Sequence, residues 1–69
     1  MTRAELTLHI LLDLIKRKHC TMSELAKKYD KSPRTIYRCC DDIGMVLPIV
    51  YKRGARGGVF LVEFEQAED

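Results

Sequence analysis

The first helix-forming segment of the chain is apolar around most of its circumference. Residues 3–18 contain seven large aliphatic side chains and no glycine or proline, a composition typical of an α-helix. At about 100° per residue these side chains cover an arc of roughly 240°, whereas a surface helix normally needs only about 100° of apolar face. A narrow polar strip remains, which we expect to lie in solvent: Glu5, His9, Asp13 and Lys16. The apolar excess must be covered, either by the rest of the chain or by a second copy of it.

Two further helices follow, and each has a recognisable start signal. Thr21-Met22-Ser23-Glu24 fits the capping-box pattern, which predicts a second helix over residues 22–29. Asp30 tolerates the left-handed conformation better than most residues, so we expect a tight turn at this position. Ser32-Pro33 then provides an N-cap followed by proline at the first helical position, which predicts a third helix over residues 33–43.

The third helix is predicted to have one apolar face and one charged face. Its apolar side chains fall within about 60° of one another, with Cys39 at the margin; they are Ile36, Cys40 and Ile43. Arg34, Arg38 and Asp41 point the opposite way, and Tyr37 lies on the flank. Because cysteine is among the residues most often buried, we interpret the two helical cysteines as core residues.

After Pro48 the hydrophobic pattern changes to one typical of β-structure. Two runs rich in β-branched and aromatic residues, 49–52 and 59–64, flank a loop rich in glycine and arginine. They predict a β-hairpin over residues 49–64 that is apolar on both sides, with Val59 and Phe60 facing opposite ways. The expected fold class is therefore mainly α with a small β-hairpin, in a single domain over residues 1–69.

The distribution of charge adds information that the overall composition does not give. Of the 69 residues 46% are hydrophobic and 32% are charged, as in ordinary globular domains, and the formal net charge is only +2. Residues 1–58 hold twelve basic and six acidic residues, a formal charge of +6, whereas residues 59–69 hold four acids and no base, a charge of −4. This split indicates a basic working surface and an acidic tail, the latter over residues 65–69.

The sequence lacks the patterns of a membrane protein, a secreted protein or an enzyme. No stretch approaches the roughly 18 apolar residues of a membrane span, and the N-terminus lacks a signal-peptide pattern. Three cysteines, an odd count, favour reduced thiols, so we expect a cytoplasmic protein. His19-Cys20 and Cys39-Cys40 have poor spacing for a metal site, and no nucleophile–base set is recognisable. We therefore expect no metal, no other cofactor and no catalysis.

The second and third helices, joined by a tight turn, have the layout of a helix-turn-helix. In that motif the second helix enters the DNA major groove and its first residues meet base edges. Small hydroxyls and long cations suit that position, because Ser32 and Thr35 can bond to phosphate or base. Arg34 and Arg38 can bond bidentately to guanine or phosphate, whereas Tyr37 is expected either to pack or to contact phosphate.

Further basic residues flank the predicted recognition helix. We expect Lys27, Lys28 and Lys31 near phosphates of the same DNA segment. The loop of the hairpin carries cations that would lie along a neighbouring groove or backbone, and these are Lys52, Arg53 and Arg56. Clustering of cations on one face is the expected electrostatic footprint of a DNA-binding domain.

The chain also resembles a known family. The motifs that match are Ile10-Leu11 with Leu14, Thr21-Met22-Ser23-Glu24-Leu25-Ala26, Ser32-Pro33-Arg34-Thr35-Ile36-Tyr37-Arg38 and Gly57-Gly58-Val59-Phe60-Leu61. Over residues 10–61 they resemble the DeoR-type winged helix-turn-helix of bacterial transcriptional regulators, and the biotin repressor's DNA-binding domain is a similar relative. The resemblance implies three helices and a two-stranded wing that bind double-stranded DNA. Contacts would come from the wing cations and from the third helix, through Ser32, Arg34, Thr35, Tyr37 and Arg38.

Two hypotheses about function therefore stand at this point. The first is a minimal bacterial transcriptional regulator that binds DNA, without the effector domain and the small-molecule effector of longer family members. The alternative is a winged helix that works through protein contacts without reading DNA, which the apolar excess on the first helix and the hairpin favours. The two hypotheses are compatible in a homodimer formed through helix one or the hairpin, because pairing would cover that surface.

Overall fold

Three α-helices and a small antiparallel sheet make up the computed structural model, which describes residues 1–54 and 57–62. In chain order the elements are α1 (Arg3–Arg17), β1 (His19–Cys20), α2 (Met22–Tyr29), α3 (Pro33–Gly44), β2 (Ile49–Lys52) and β3 (Gly58–Leu61). The mainly helical fold class with a small hairpin is thus confirmed, and the arrangement is compatible with a winged helix. Within the described ranges, no helix is long and apolar enough to cross a membrane.

The helices begin where side chains satisfy their free amide groups. At α2 the Thr21 hydroxyl accepts from the Glu24 amide at 3.0 Å, and the Glu24 carboxylate accepts from the Thr21 amide at 3.0 Å. This is the capping box that the sequence predicts. A second capping box, between Thr2 and Glu5, starts α1 and was not predicted. Helix α1 ends at Arg17, followed by Lys18 in the left-handed conformation.

The sheet has one strand more than the predicted hairpin. Strand β3 lies in the centre, paired with β2 on one side and with the two-residue strand β1 on the other, all antiparallel. Cys20 pairs with Val59 and Tyr51 pairs with Val59 from the opposite side. Strand β1 was missed because two residues are too few to show the alternation of hydrophobic and polar positions that identifies a strand. Their pairing depends on β3, about 40 positions away in sequence. The predicted continuation of the hairpin to residue 64 and the acidic tail lie outside the described residues.

The core is formed by one face of each helix and the inner face of the sheet. Its fully buried side chains are Leu6, Ile10, Leu14, Cys20, Leu25, Ile36, Cys39, Cys40, Ile43 and Val59. Helix α3 packs against both α1 and α2, and the sheet closes the end of the core. Cys39 is therefore inside the core and not at its margin, since the helices packed on α3 cover more of its surface than its own apolar arc indicates.

One prediction about α1 is wrong. Asp13 was expected in a solvated strip, but it is only 8% exposed. Its carboxylate accepts hydrogen bonds from Lys28 Nζ at 2.8 Å and from the Tyr29 hydroxyl at 2.6 Å, both at the end of α2. A buried carboxylate is tolerated when it is paired and hydrogen-bonded, and these two partners meet that condition. The network ties α1 to the last turn of α2.

Part of the apolar surface of α1 is exposed to solvent, because the described part of the chain does not cover it. Leu8, Leu12 and Ile15 are 61%, 52% and 47% exposed. They project from the side of α1 opposite Leu6, Ile10 and Leu14, the three α1 side chains inside the core. The chain therefore does not wrap this helix fully.

Candidate nucleic-acid interface

The turn between α2 and α3 depends on a left-handed aspartate. Asp30 has φ 56° and ψ 49°, a conformation that aspartate adopts at low cost because its short polar side chain can hydrogen-bond locally. The turn is closed by the Lys31 amide, which donates to the Ala26 carbonyl at 3.0 Å. Three residues therefore suffice to redirect the chain from α2 into α3, as a helix-turn-helix requires.

The start of α3 presents two hydroxyls. Ser32 is the N-cap, and its Oγ accepts from the Thr35 amide at 3.3 Å and lies 3.2 Å from the Thr35 hydroxyl. Pro33 occupies the first turn, where a missing amide hydrogen costs nothing. Because one of the two hydroxyls donates to the other, one hydroxyl hydrogen is left for an acceptor outside the described chain. Ser32 is exposed and Thr35 is half-buried, so Ser32 is the more accessible of the pair.

The exposed face of α3 carries Arg34, Arg38 and Asp41, as predicted. Arg34 and Arg38 are one helical turn apart and both exposed, whereas Ile36 and Cys40 are fully buried on the opposite side. Within residues 1–54 and 57–62 neither arginine forms an ion pair with a carboxylate. Lys27 and Lys31, at the end of α2 and in the turn, are likewise exposed and unpaired within these ranges.

Three other cations of the described chain are neutralised within the fold. Arg3 pairs with Asp42 at 2.8 Å and Arg17 pairs with Glu24 at 3.2 Å. Lys28, one of the predicted phosphate contacts, pairs with Asp13, whose hydrogen bond raises the pKa of Lys28. A phosphate would have to compete with Asp13 for Lys28, so the structure places this residue less favourably than Lys27 and Lys31.

A pair of tyrosines connects α3 to the hairpin. The Tyr51 hydroxyl on β2 donates to the Asp41 carboxylate on α3 at 2.8 Å, and its ring lies 5.6 Å from that of Tyr37. Burial raises the pKa of Tyr51, and the hydrogen bond to Asp41 raises it further. Tyr37 thus packs against Tyr51 while its ring remains partly exposed, and its contact with phosphate stays a prediction. Tyr51 was not singled out from the sequence, because its partner Asp41 is identified only by the packing of β2 beside α3.

The hairpin cations differ in their surroundings. Lys52 Nζ lies 5.2 Å from the centre of the Phe60 ring, a cation–π distance, whereas Arg53 is exposed. His19 on β1 stacks on Phe60 with ring centres 4.0 Å apart, and its Nε2 lies 3.2 Å from the Gly57 carbonyl oxygen. His19 therefore positions the base of the loop, a role that the sequence did not indicate. Arg56 lies outside the described residues.

Two glycines allow the strands to approach closely at this point. A Cβ on Gly57 would lie 2.2 Å from the Lys52 carbonyl oxygen, and a Cβ on Gly58 would lie 2.3 Å from the Cys20 carbonyl oxygen. Gly58 also has φ +139°, which a residue with a side chain rarely adopts. Backbone crowding around β3 thus requires glycine at both positions 57 and 58.

An open cleft lies between α2, α3 and the hairpin. It has a volume of about 660 Å³ and is lined by Thr21, Met22, Ser23, Tyr37, Tyr51, Lys52, Arg53, Gly54, Gly57 and Gly58. Tyr37 and the cations Lys52 and Arg53 therefore border the same cleft, which brings a residue of the predicted recognition helix beside the predicted wing. The hydroxyls of Thr21 and Ser23 at the start of α2 were not among the predicted contacts.

The cysteines do not form a reactive site in the described structure. Cys20, Cys39 and Cys40 are buried and unpaired as thiols. Burial raises the pKa of Cys40 to about 12, so its thiolate is scarce at neutral pH. Among the residues described, no group of three or more histidine, cysteine or carboxylate side chains is arranged to hold a metal ion.

The chain was compared with protein-family models, curated proteins and solved structures. We found no significant match of the chain to a protein-family model, to a curated protein or to a solved structure.

Proposed function

We propose that this protein binds double-stranded DNA through the α2–turn–α3 unit, with α3 in the major groove and the hairpin beside it. The observation that carries the proposal is the separation of the cations into two groups. Arg3, Arg17 and Lys28 are neutralised by carboxylates of the fold, whereas Arg34 and Arg38 share an exposed face without a carboxylate partner in the described ranges. An exposed guanidinium pair is suited to binding the two-acceptor edge of guanine or a phosphate.

The start of α3 supplies the remaining contacts. Ser32 and Thr35 stand at the helix N-terminus, where backbone amides and the helix dipole favour a phosphate. Arg34 follows within the first turn, at the position from which recognition helices meet base edges. Arg38, one turn further on, reaches an adjacent base or the backbone. Tyr37 faces the cleft, where its hydroxyl can donate to a phosphate.

The cations outside α3 position the domain on the duplex. Lys27 and Lys31 flank the turn, and Lys52 and Arg53 border the cleft on the hairpin side. In this proposal they contact phosphates and do not read the base sequence. Lys28 and Arg56 have the same role where the DNA reaches them. The phosphate contacts give affinity and the contacts of α3 give specificity.

The salt dependence of binding tests the electrostatic part of the proposal. If about five phosphates are neutralised, log affinity against log salt concentration should have a slope of about −4 to −5. The measurement is a fluorescence-anisotropy titration of a labelled random-sequence duplex at several salt concentrations. Salt-independent binding, or no binding to any duplex at low salt, contradicts the proposal. If binding depends on salt as expected, selection of bound sequences from random duplexes identifies the preferred site.

A matched set of variants tests the role of α3. Replacing Arg34 and Arg38 together by alanine should weaken binding to the selected site by at least about 2 kcal/mol, because a bidentate base contact contributes that much. Arg3→Ala is the control, since it also removes a guanidinium but one already paired with Asp42. Equal losses in the double variant and the control would exclude a specific role for α3.

A second function is favoured by a specific observation. The exposed leucines of α1 are typical of a surface that contacts protein, which supports the alternative of a winged helix acting through protein contacts. Unchanged DNA affinity after the double arginine substitution would favour this alternative. Under the first proposal the protein regulates transcription or a related DNA transaction, in the cytoplasm, where the three buried thiols stay reduced.

A further inference from the structure

The exposed apolar side chains of α1 form a continuous stripe with coiled-coil spacing. Leu8, Leu12 and Ile15 are separated by four and three residues, the alternation that keeps side chains on one seam of a helix pair. The stripe lies on the side of α1 opposite the core, and 47–61% of each of these residues is exposed. Nothing in the described part of the chain covers it.

Charges at the two ends of the stripe indicate which partner fits it. Glu5 and Lys16 lie about 20° apart around the helix, along the same edge of the stripe but eleven residues apart in sequence. In an antiparallel pair of identical helices, residues on the same edge meet, whereas a parallel pair brings opposite edges together. Only the antiparallel arrangement therefore sets Glu5 of each copy beside Lys16 of the other. Lys16 is exposed and forms no ion pair in the described ranges, so it is available for this contact.

We propose that the α1 stripe is a homodimer interface, in which two copies of α1 pack antiparallel around a two-fold axis. Leu8 lies opposite Leu12 of the second copy, and the two symmetry-related Glu5–Lys16 pairs fix the register. Such an interface is isologous, so each substitution in it acts twice.

The proposed interface leaves the exposed face of α3 open. The side of α1 that carries Leu6, Ile10 and Leu14 packs in the core with α3, and the stripe points away from it. Dimerisation would therefore not cover Arg34 or Arg38. The inference does not rest on DNA binding and is tested without DNA.

Sedimentation equilibrium over about 1 µM to 1 mM protein tests the interface. We expect the mass to rise from 8.0 kDa towards twice that value as the concentration increases. Leu12→Gln should raise the dissociation constant about 30-fold, because two half-exposed leucines lose their burial in the dimer. Met45→Gln is the matched control, since Met45 is more exposed than Leu12 but lies outside α1. It should leave the dissociation constant unchanged.

Charge reversal tests the antiparallel arrangement separately from the apolar contacts. Lys16→Glu should weaken the dimer about 5-fold by setting like charges together, and adding Glu5→Lys should restore it. Circular dichroism checks that each variant remains folded, since Glu5 also takes part in the capping box of α1. A mass of 8.0 kDa at every concentration overturns the proposal, as does a dimer that Leu12→Gln leaves intact. A weakened dimer that Glu5→Lys does not restore overturns the antiparallel arrangement.

Discussion

The buried carboxylate of Asp13 provides the sharpest test of the packing between α1 and α2. Its two partners are the Tyr29 hydroxyl at 2.6 Å and Lys28 Nζ at 2.8 Å. Asp13→Ala removes the carboxylate that accepts both hydrogen bonds, and it leaves the half-buried Tyr29 hydroxyl without this acceptor. A hydrogen bond to a charged group contributes about 1.5–3 kcal/mol, and the solvent around Lys28 makes its share small. We expect a loss of about 2–3 kcal/mol in the free energy of unfolding.

That loss is large for a domain of this size. With 69 residues the free energy of unfolding should be roughly 3–10 kcal/mol. The measurement is urea denaturation at neutral pH, followed by circular dichroism. Tyr29→Phe should cost about 1.5–2 kcal/mol, since it removes the hydrogen bond to the charged carboxylate and leaves the ion pair with Lys28. A change below about 0.5 kcal/mol in the free energy of unfolding for Asp13→Ala would refute the conclusion that this network stabilises the packing of α1 on α2.

The same network predicts a dependence on pH with a definite sign. Burial opposes ionisation of Asp13, but the hydrogen bonds from Lys28 and Tyr29 outweigh it and hold its pKa below the ordinary value. The folded state therefore favours the charged form. Relative to Asp13→Asn, the wild-type protein should have extra stability above about pH 4, and should lose it as the pH falls through the lowered pKa. A stability difference that is constant from pH 7 to about pH 2 would contradict this reasoning.

Two further predictions concern the sheet and the thiols. Gly58→Ala should destabilise the protein by at least about 2 kcal/mol in urea denaturation, because the new Cβ meets the Cys20 carbonyl at a strained φ. Gly54→Ala, at φ +108° but with open space around it, should cost less, and equal losses would contradict the role of crowding. At pH 7.5 a thiol reagent should modify Cys40 slowly, since burial raises its pKa to about 12, and should modify it rapidly in urea. Rapid labelling of the native protein would contradict this burial.

The local signals of the sequence predicted the helices well. The Thr21 capping box, the left-handed Asp30 and the Ser32-Pro33 start all lie within a few residues of what they determine. The charged face of α3 could also be predicted, because the positions of Arg34 and Arg38 follow from helical geometry alone.

Features that depend on contacts distant in sequence were missed or misplaced. Asp13 looked solvated because its partners are fifteen and sixteen residues away on another helix. Strand β1 and the positioning role of His19 both depend on β3, and the link from Tyr51 to Asp41 depends on where β2 lies beside α3.

The sequence by itself therefore determined the order and ends of the helices, the β-hairpin and the charged face of α3, because helical period, caps and turn residues act locally. It also predicted more apolar surface on α1 than one small domain needs. Only the tertiary structure decided which cations remain unpaired, since pairing depends on carboxylates brought in from other elements. It also decided that Leu8, Leu12 and Ile15 form the uncovered part of α1, because packing selects which apolar side chains enter a core that has room for one face of each helix.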